Sequence, residues 1–340
     1  MTADIRQGAH RAGGGGVTVL VPAHNEADAI IETLESLELQ TRRPDRVIVI
    51  ADNCTDATEQ LAADFGAEVI STVGNTDKKA GALNFALNGI LADADPDDLI
   101  LVQDADSQLS PDFIENAMRH LSANDNLGAV GGVFRGGPGG GFVGHLQRNE
   151  YARYARDVKR LHGKCLVVTG TAALFRVRTL QGVSTARIMG LLPAGNGHGG
   201  IYDTSVLTED NELSFALLTL GYSIASPADC TLVTEVMPTW RELWAQRLRW
   251  KRGAVENCVQ YGWTKITSLL GPPSALNGWG SGDHGVFLLD RRRPWIGSGP
   301  ACARLLDGCD RRLRDRTDRD SAAEGLEIHA AGGHHVRNNH

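Results

Sequence analysis

The chain has 340 residues, 42% of them hydrophobic, and its formal net charge is −7 at pH 7. This length can bury a sizeable core in one or two domains, and the acidic balance argues against a general polyanion-binding surface and a nucleic-acid partner. The six cysteines form no C-x-x-C pair. Their scatter argues against a zinc site or a disulfide framework and favours a reducing, cytosolic setting.

The first part of the chain alternates short apolar runs with helical patterns. Strands are predicted at 17–21, 47–51, 68–70 and 99–102, and helices at 26–40, 55–65, 79–91 and 111–121. Strands that alternate with helices indicate an α/β fold with a Rossmann-like, mostly parallel sheet covered by helices on both faces. Because ligands bind at the carboxyl ends of strands in such sheets, the polar residues that follow the strands are the first candidates for a site.

Carboxylates and a histidine follow three of the predicted strands. His24 and Glu26 follow the first strand, Asp52 follows the second, and Asp104 and Asp106 follow the fourth. Mg²⁺ takes oxygen ligands, commonly one or two carboxylates together with substrate phosphates, so the pair Asp104-x-Asp106 suits a divalent metal. The alternative is a turn in which these two side chains accept hydrogen bonds from backbone amides.

Two further features bear on nucleotide binding. Lys79 and the free amides at the start of the third helix suit a phosphate, with a solvated basic turn as the alternative. The first strand is followed by Pro22-Ala23-His24 and not by G-x-G-x-x-G, which argues against a dinucleotide-binding dehydrogenase.

The pattern changes beyond residue 128. Helices are predicted at 142–161 and 238–260, a strand at 223–225, and a strand that turns into a loop at 166–171. Another helix begins after Thr208, a good N-cap, and opens with Glu209 and Asp210, which oppose the helix dipole. That structural role accounts for these acids, and a catalytic role for one of them is the alternative.

The last predicted helix carries three residues of interest on one face. These are Gln246, Arg249 and Trp250. The guanidinium of Arg249 suits a diphosphate, because it can donate forked hydrogen bonds. Trp250 suits stacking against a sugar, and packing in the core is the alternative.

Taken together and in this order, these segments resemble glycosyltransferase family 2, and within it the processive synthases of cellulose, hyaluronan and poly-N-acetylglucosamine. The segments are Val21–Glu26, Asp52-Asn53, Lys79–Asn84, Asp104–Asp106, Thr208–Asp210 and Gln246–Trp250. Val168–Thr171 is similar to the loop near the acceptor in that family. The resemblance covers about residues 17–265 and is specific as an ordered set, although each member alone is not.

The resemblance implies a GT-A fold and an inverting, metal-dependent transfer of a sugar from a nucleoside diphosphate to a hydroxyl of a glycan or other acceptor. UDP-glucose or UDP-N-acetylglucosamine is the expected donor. Carried over, the general base is Asp210, and Asp104 and Asp106 bind Mg²⁺ or Mn²⁺. The implied donor-binding residues are Pro22, His24, Glu26, Asp52, Lys79, Asp104, Gln246 and Arg249. The implied acceptor residues are Thr169, Gly170 and Trp250.

One departure from the processive synthases concerns the membrane. Those proteins carry transmembrane helices, whereas this sequence has no apolar run of about 18 residues, so no transmembrane helix is predicted. The expected location is cytoplasmic, with a peripheral contact at the inner face of the membrane or a membrane partner subunit left open. The alternative function is a catalytically impaired, truncated synthase that only binds a nucleotide-sugar. A nucleotidylyltransferase shares the sheet and the metal but has no use for Gln246–Trp250.

The expected domain organisation follows these patterns. A flexible N-terminal tail at 1–16 precedes a catalytic domain at 17–265, and residues 266–340 are expected to be a disordered or irregular tail. Within the domain, 17–127 is the nucleotide-sugar-binding half and 128–265 the acceptor half.

Overall fold

The architecture alternates strands and helices along the chain. A computed structural model describes residues 15–262, so the two expected tails lie outside the described residues apart from positions 15 and 16. The strands are β1 (Val17–Ala23), β2 (Arg46–Asp52), β3 (Glu68–Thr72), β4 (Leu99–Gln103), β5 (Ser107–Leu109), β6 (Leu127–Gly131), β7 (Val133–Gly136), β8 (Ala172–Arg176), β9 (Ser223–Ala225) and β10 (Thr231–Thr234). The helices are α1 (Ile30–Glu38), α2 (Thr58–Phe65), α3 (Lys78–Asp93), α4 (Phe113–Ala123), α5 (Gly141–Arg160), α6 (Val177–Ile188), α7 (Glu209–Thr219) and α8 (Trp240–Tyr261).

A seven-stranded sheet with the order β3-β2-β1-β4-β8-β6-β9 forms the centre. Every strand except β8 runs in the same direction, since β8 alone pairs antiparallel with both of its neighbours. The predicted α/β class and mostly parallel sheet are therefore confirmed. The carboxyl ends of β1, β2 and β4 lie side by side, which places the residues that follow them at one edge.

Both faces of this sheet are buried, which explains the continuous apolar runs of its strands. Leu20 packs in a core with α3, α6 and α7, whereas its neighbours Val19 and Val21 pack in a second core with α1, α2 and α4. Successive side chains of a strand point to opposite faces, so a strand covered on both sides needs apolar residues throughout.

A second sheet of three strands, β5-β10-β7, borders the first and was not predicted from the sequence. β10 pairs antiparallel with β5, and Thr234 stands opposite Ser107. Because the two strands run in opposite directions, the next pair along them places Glu235 beside Asp106. These strands have three or four residues each, which is too short for a clear period-two pattern.

Residues 166–171 were predicted to be a strand that turns into a loop, and only the loop is found. Those residues form a loop, and the strand β8 begins at Ala172. Val168 and Gly170 have backbone amides that donate to the side chains of Ser214 and Asp210, at 3.1 Å and 2.9 Å. The run of β-branched residues thus has the composition of a strand. Its backbone amides, however, donate to side chains of α7 and not to a neighbouring strand. Across the described part of the chain, no helix combines the length and apolarity needed to cross a membrane.

Candidate active site

Lys79, in the first turn of α3, lies at the centre of a cluster of carboxylates. Its Nζ donates to Asp104 Oδ1 at 2.5 Å and to the Gly170 carbonyl oxygen at 3.1 Å, and it lies 3.8 Å from Glu209 Oε1. Burial acts to lower the pKa of Lys79, but the charges of Asp104 and Glu209 outweigh burial and raise it above its ordinary value. Lys79 therefore stays protonated and joins β4, the 168–171 loop and α7.

Asp210 occupies the first turn of α7, on the other side of the same loop. Its Oδ2 accepts a hydrogen bond from the Gly170 amide at 2.9 Å, and its Oδ1 accepts one from the Asn211 amide at 2.8 Å. Burial and the charge of Glu209 raise the pKa of Asp210 to about 6, while Lys79 opposes the shift. A carboxylate with a pKa near the working pH suits a general base.

Gly170 is required at this point because the loop passes so close to α7. A Cβ at position 170 would stand 2.8 Å from Asp210 Oδ2. Beside it, Thr169 Oγ1 donates to the Gly132 carbonyl oxygen at 3.1 Å. A small cavity beneath the loop is lined by Lys79, Thr169, Gly170, Tyr202, Glu209 and Asp210, with core residues at its base. Tyr202 is a lining residue that no sequence pattern indicated.

Asp106 and Glu26 lie at the same edge among further acids. Burial, reinforced by the charge of Asp104, raises the pKa of Asp106 to about 6, although Ser107 Oγ donates to its Oδ1 at 3.0 Å. Burial, reinforced by Asp106, raises the pKa of Glu26 to about 7. Glu235 adds to both shifts. No sequence pattern indicates Glu235, because only the pairing of β10 with β5 places it there.

This donor set fits a hard divalent cation. One carboxylate oxygen of Asp104 accepts a hydrogen bond from Lys79, and one of Asp106 accepts a hydrogen bond from Ser107. Each carboxylate has a second oxygen that can bind a cation. Oxygen donors are the ligands that Mg²⁺ and Mn²⁺ accept. Burial is the main cause of the raised pKa of Asp106, and the crowding of like charges that adds to it is relieved when a cation binds between the carboxylates.

Asp52 ends β2 at the outer part of this edge and is held in one orientation. Thr72 Oγ1 and Asn75 Nδ2 donate to its Oδ1 at 2.5 Å and 2.8 Å. His24 Nδ1 donates to the Asp52 carbonyl oxygen at 2.6 Å. Pro22 is buried at the end of β1, opposite Ile50 of β2. The predicted donor-side residues from β1, β2, β4 and α3 therefore come together at one sheet edge.

Two of the three predicted residues of α8 contact Arg247 of the same helix. Gln246 Oε1 accepts a hydrogen bond from Arg247 at 2.7 Å, and the Arg247 guanidinium lies 4.3 Å from the centroid of the Trp250 ring. Arg249 is exposed and makes no hydrogen bond or ion pair within residues 15–262. No hydrogen bond or ion pair in that range joins Gln246, Arg249 or Trp250 to Lys79 or Asp210, so the donor and acceptor roles of α8 stay predictions.

Thr208 precedes α7 but does not cap it with its side chain. Its Oγ1 and its carbonyl oxygen instead accept from Asn257 Nδ2 of α8, at 3.3 Å and 3.4 Å. The predicted capping role of Thr208 is therefore wrong, because α8 packs close enough for Asn257 to form a hydrogen bond with the Thr208 hydroxyl.

Residues 18–183 match the family model of glycosyl transferase family 2. A probable glycosyltransferase of Bacillus subtilis, YdaM, is 30% identical over 243 residues, which are 70% of this chain and 54% of that protein. A poly-β-1,6-N-acetyl-D-glucosamine synthase of Staphylococcus epidermidis is 27% identical over 255 residues, which are 74% of this chain and 57% of that protein. The chain thus spans about half the length of the curated relatives it matches.

A solved structure is similar over most of the chain. It is the mannosyltransferase PcManGT from Pyrobaculum calidifontis in complex with GDP-Man and Mn²⁺, with a TM-score of 0.57 and 20% identity, and the match covers 94% of this chain and 87% of that one. This likeness shows a shared fold, and it confirms the predicted GT-A architecture.

Proposed function

This chain belongs to glycosyl transferase family 2 through residues 18–183, and on that basis we propose that it transfers a sugar from a nucleoside diphosphate donor to a hydroxyl acceptor. The observation that carries the proposal is the placement of Asp210 beside the Lys79 cluster. The Asp210 carboxylate is fixed by the Gly170 amide at 2.9 Å, next to the sheet edge where Asp52, Asp104 and Asp106 converge. The proposed site thus has a base on one side and a charged donor site on the other.

We propose an inverting displacement with Asp210 as the general base. The carboxylate takes the proton of the acceptor hydroxyl, and the freed oxygen attacks the anomeric carbon from the face opposite the diphosphate. The bond between that carbon and the diphosphate oxygen breaks, and the nucleoside diphosphate leaves with the electron pair. The raised pKa of Asp210, about 6, supports this role because it matches the carboxylate to a proton transfer near neutral pH.

The donor side is assigned to the charged sheet edge. Asp52 suits the nucleoside, because its Oδ1 is engaged by Thr72 and Asn75, whereas its Oδ2 accepts no hydrogen bond within residues 15–262. Asp104 and Asp106 would hold Mg²⁺ or Mn²⁺, which neutralises charge on the departing diphosphate when it is bound. Exposed Arg249 would add a guanidinium for the diphosphate, and Trp250 would line the acceptor site.

The donor we favour is UDP-N-acetylglucosamine, with UDP-glucose as the second choice. A staphylococcal relative at 27% identity is a poly-β-1,6-N-acetyl-D-glucosamine synthase, and its product is built from that sugar. The acceptor we favour is a hydroxyl of a growing glycan.

A membrane-facing contact is part of the proposal. Trp240, Trp244 and Leu248 lie four residues apart on α8, with exposed fractions of 59%, 72% and 40%. A stripe of large apolar side chains on a charged helix suits the inner surface of a membrane or a membrane partner subunit. Flotation with phosphatidylglycerol vesicles checks the first of these: wild type should float, and Trp244→Ser should float less.

The test of the function is the release of nucleoside diphosphate. The purified chain is incubated with Mn²⁺ or Mg²⁺, a panel of nucleotide-sugars and short N-acetylglucosamine oligomers, with Asp210→Asn alongside. Metal-dependent release from one donor that is lost in Asp210→Asn is the expected result. Donor binding without release, with every acceptor, would favour a protein that only binds nucleotide-sugars. A chain that binds no donor would contradict both.

A further inference from the structure

The C-terminal half of α8 lies along the first turns of α7. Gly253, Asn257 and Tyr261 are spaced four residues apart and therefore share one face of the helix. Gly253 and Asn257 are the buried residues of α8, while Val259 on another face is 59% exposed. This face of α8, which we name the clamp face, consists of Gly253, Asn257 and Tyr261.

The first contact of the clamp face is made with Thr208. A Cβ at Gly253 would stand 2.3 Å from Thr208 Oγ1, so only glycine permits this approach of the two segments. Asn257 Nδ2 then donates to the Thr208 hydroxyl and carbonyl oxygens at 3.3 Å and 3.4 Å. Thr208 precedes Asp210 by two residues, and these contacts fix the start of α7.

The second contact is made with Glu212, one half-turn beyond Asp210. The Tyr261 hydroxyl donates to Glu212 Oε1 at 2.6 Å, and Arg187 donates to Glu212 Oε2 at 2.6 Å. The side chains of Arg187 and Glu212 are both fully buried. A buried pair of this kind is weak evidence for stability, because the loss of hydration offsets the attraction, and its directed hydrogen bonds fix geometry instead.

We infer that the clamp face positions Asp210, by holding Thr208 on one side of it and Glu212 on the other. Tyr261 and Asn257 are thus positioning residues for the general base. The same helix carries Gln246 and Arg249 toward its middle, so the clamp also fixes the base relative to the residues assigned to the diphosphate. This inference rests on the proposed function for its catalytic consequence, but the contact itself is independent of any activity.

Tyr261→Phe is the test variant because it removes one hydroxyl and keeps the ring, which packs edge-on against Phe215 with centroids 5.6 Å apart. We expect kcat for nucleoside diphosphate release to fall on the order of 10-fold to 100-fold, since a misplacement of about 1 Å has that effect. The donor Kd, measured by calorimetry with UDP-N-acetylglucosamine and Mn²⁺, should stay within about twofold. The sheet edge that carries Asp52, Asp104 and Asp106, which we name the donor edge, is untouched by this substitution. Val259→Ala, on the exposed side of the same helix, is the matched control and should change neither quantity.

Hydrogen exchange of the amides at 210–213 provides a readout that needs no activity. It should accelerate in Tyr261→Phe and stay at the wild-type rate in Val259→Ala. Unchanged exchange together with unchanged kcat in Tyr261→Phe would overturn the inference, and so would a proportional loss of kcat and donor affinity, which indicates general loosening. If wild type releases no nucleoside diphosphate, the proposed function fails, while the exchange rates still decide whether the clamp orders α7.

Discussion

The two sides of the proposed active site balance their charges in different ways. At the donor edge, Glu26, Asp106 and Glu235 form no ion pair within residues 15–262. The pKa values of Glu26 and Asp106 are raised to about 7 and about 6, chiefly by burial and then by neighbouring carboxylates. On the acceptor side, buried Arg187 and Glu212 neutralise each other at 2.6 Å.

This difference indicates what each side needs in order to be complete. The acceptor side supplies its own counter-charges, so a change there acts on the fold first and on activity through the fold. The donor edge concentrates carboxylates, of which Asp104 alone has an ion-pair partner, Lys79, within residues 15–262. A change there therefore acts through whatever cation or ligand binds. Asp210 lies between the two and is sensitive to both, through Lys79 on one side and the clamp face on the other.

The largest expected effect is that of Asp210→Asn. Removal of a general base lowers kcat by about 100-fold to 10,000-fold, and we expect a loss of about 1,000-fold with the donor Kd unchanged. Initial rates of nucleoside diphosphate release and calorimetry with the same donor measure the two quantities. Asp64→Asn, an exposed residue of α2, is the control. If Asp210→Asn keeps more than a tenth of the wild-type kcat, Asp210 is not the general base.

The donor edge was the more predictable side because its residues follow strands that the sequence marks clearly. Asp52, Asp104 and Lys79 lie where the rule of strand carboxyl ends places them. Glu235 was missed since its position depends on β10 pairing with β5, across more than 120 residues of chain.

The acceptor side was less predictable, because contacts between distant side chains decide its local structure. The run at 166–171 has strand-like residues, yet α7 side chains take its amides and leave it a loop. The helix α6 was not predicted, in part because Arg187 is a charged residue on its buried face. The charge of Arg187 can be buried because Glu212, from another helix, forms an ion pair with it.

The next largest effect concerns the stability of the acceptor side. Arg187→Met leaves Glu212 charged and buried without its partner, and we expect a loss of about 3 to 5 kcal/mol in the free energy of unfolding. Urea denaturation followed by circular dichroism measures this loss. Arg178→Met on the same helix, whose guanidinium pairs with exposed Asp97, should cost less than about 1 kcal/mol. Equal losses in the two variants would show that the buried pair contributes no more to the free energy of unfolding than the exposed pair does.

A smaller effect of opposite sign is expected at the donor edge. The folded state raises the pKa of Asp106 to about 6 from an ordinary 3.8, so it binds more protons than the unfolded chain between those pH values. Stability due to this group is therefore lost as pH rises through that window. In EDTA, Asp106→Asn should match wild type near pH 4 and unfold about 2 to 4 °C higher at pH 7. Saturating Mn²⁺ should raise the midpoint temperature of unfolding of the wild type but not that of Asp106→Asn.

The smallest effect, and the sharpest test of the contrast, is that of Glu235→Gln. Removing this charge relieves repulsion on Glu26 and Asp106, so the metal-free protein should unfold about 1 °C higher at pH 7, a small gain because Glu235 is exposed. With Mn²⁺ the sign should reverse, since the variant offers the cation less negative charge and gains less from binding it. Thermal unfolding with EDTA and with Mn²⁺ measures both. Two shifts of the same sign would mean that the donor edge is balanced without a cation, as the acceptor side is.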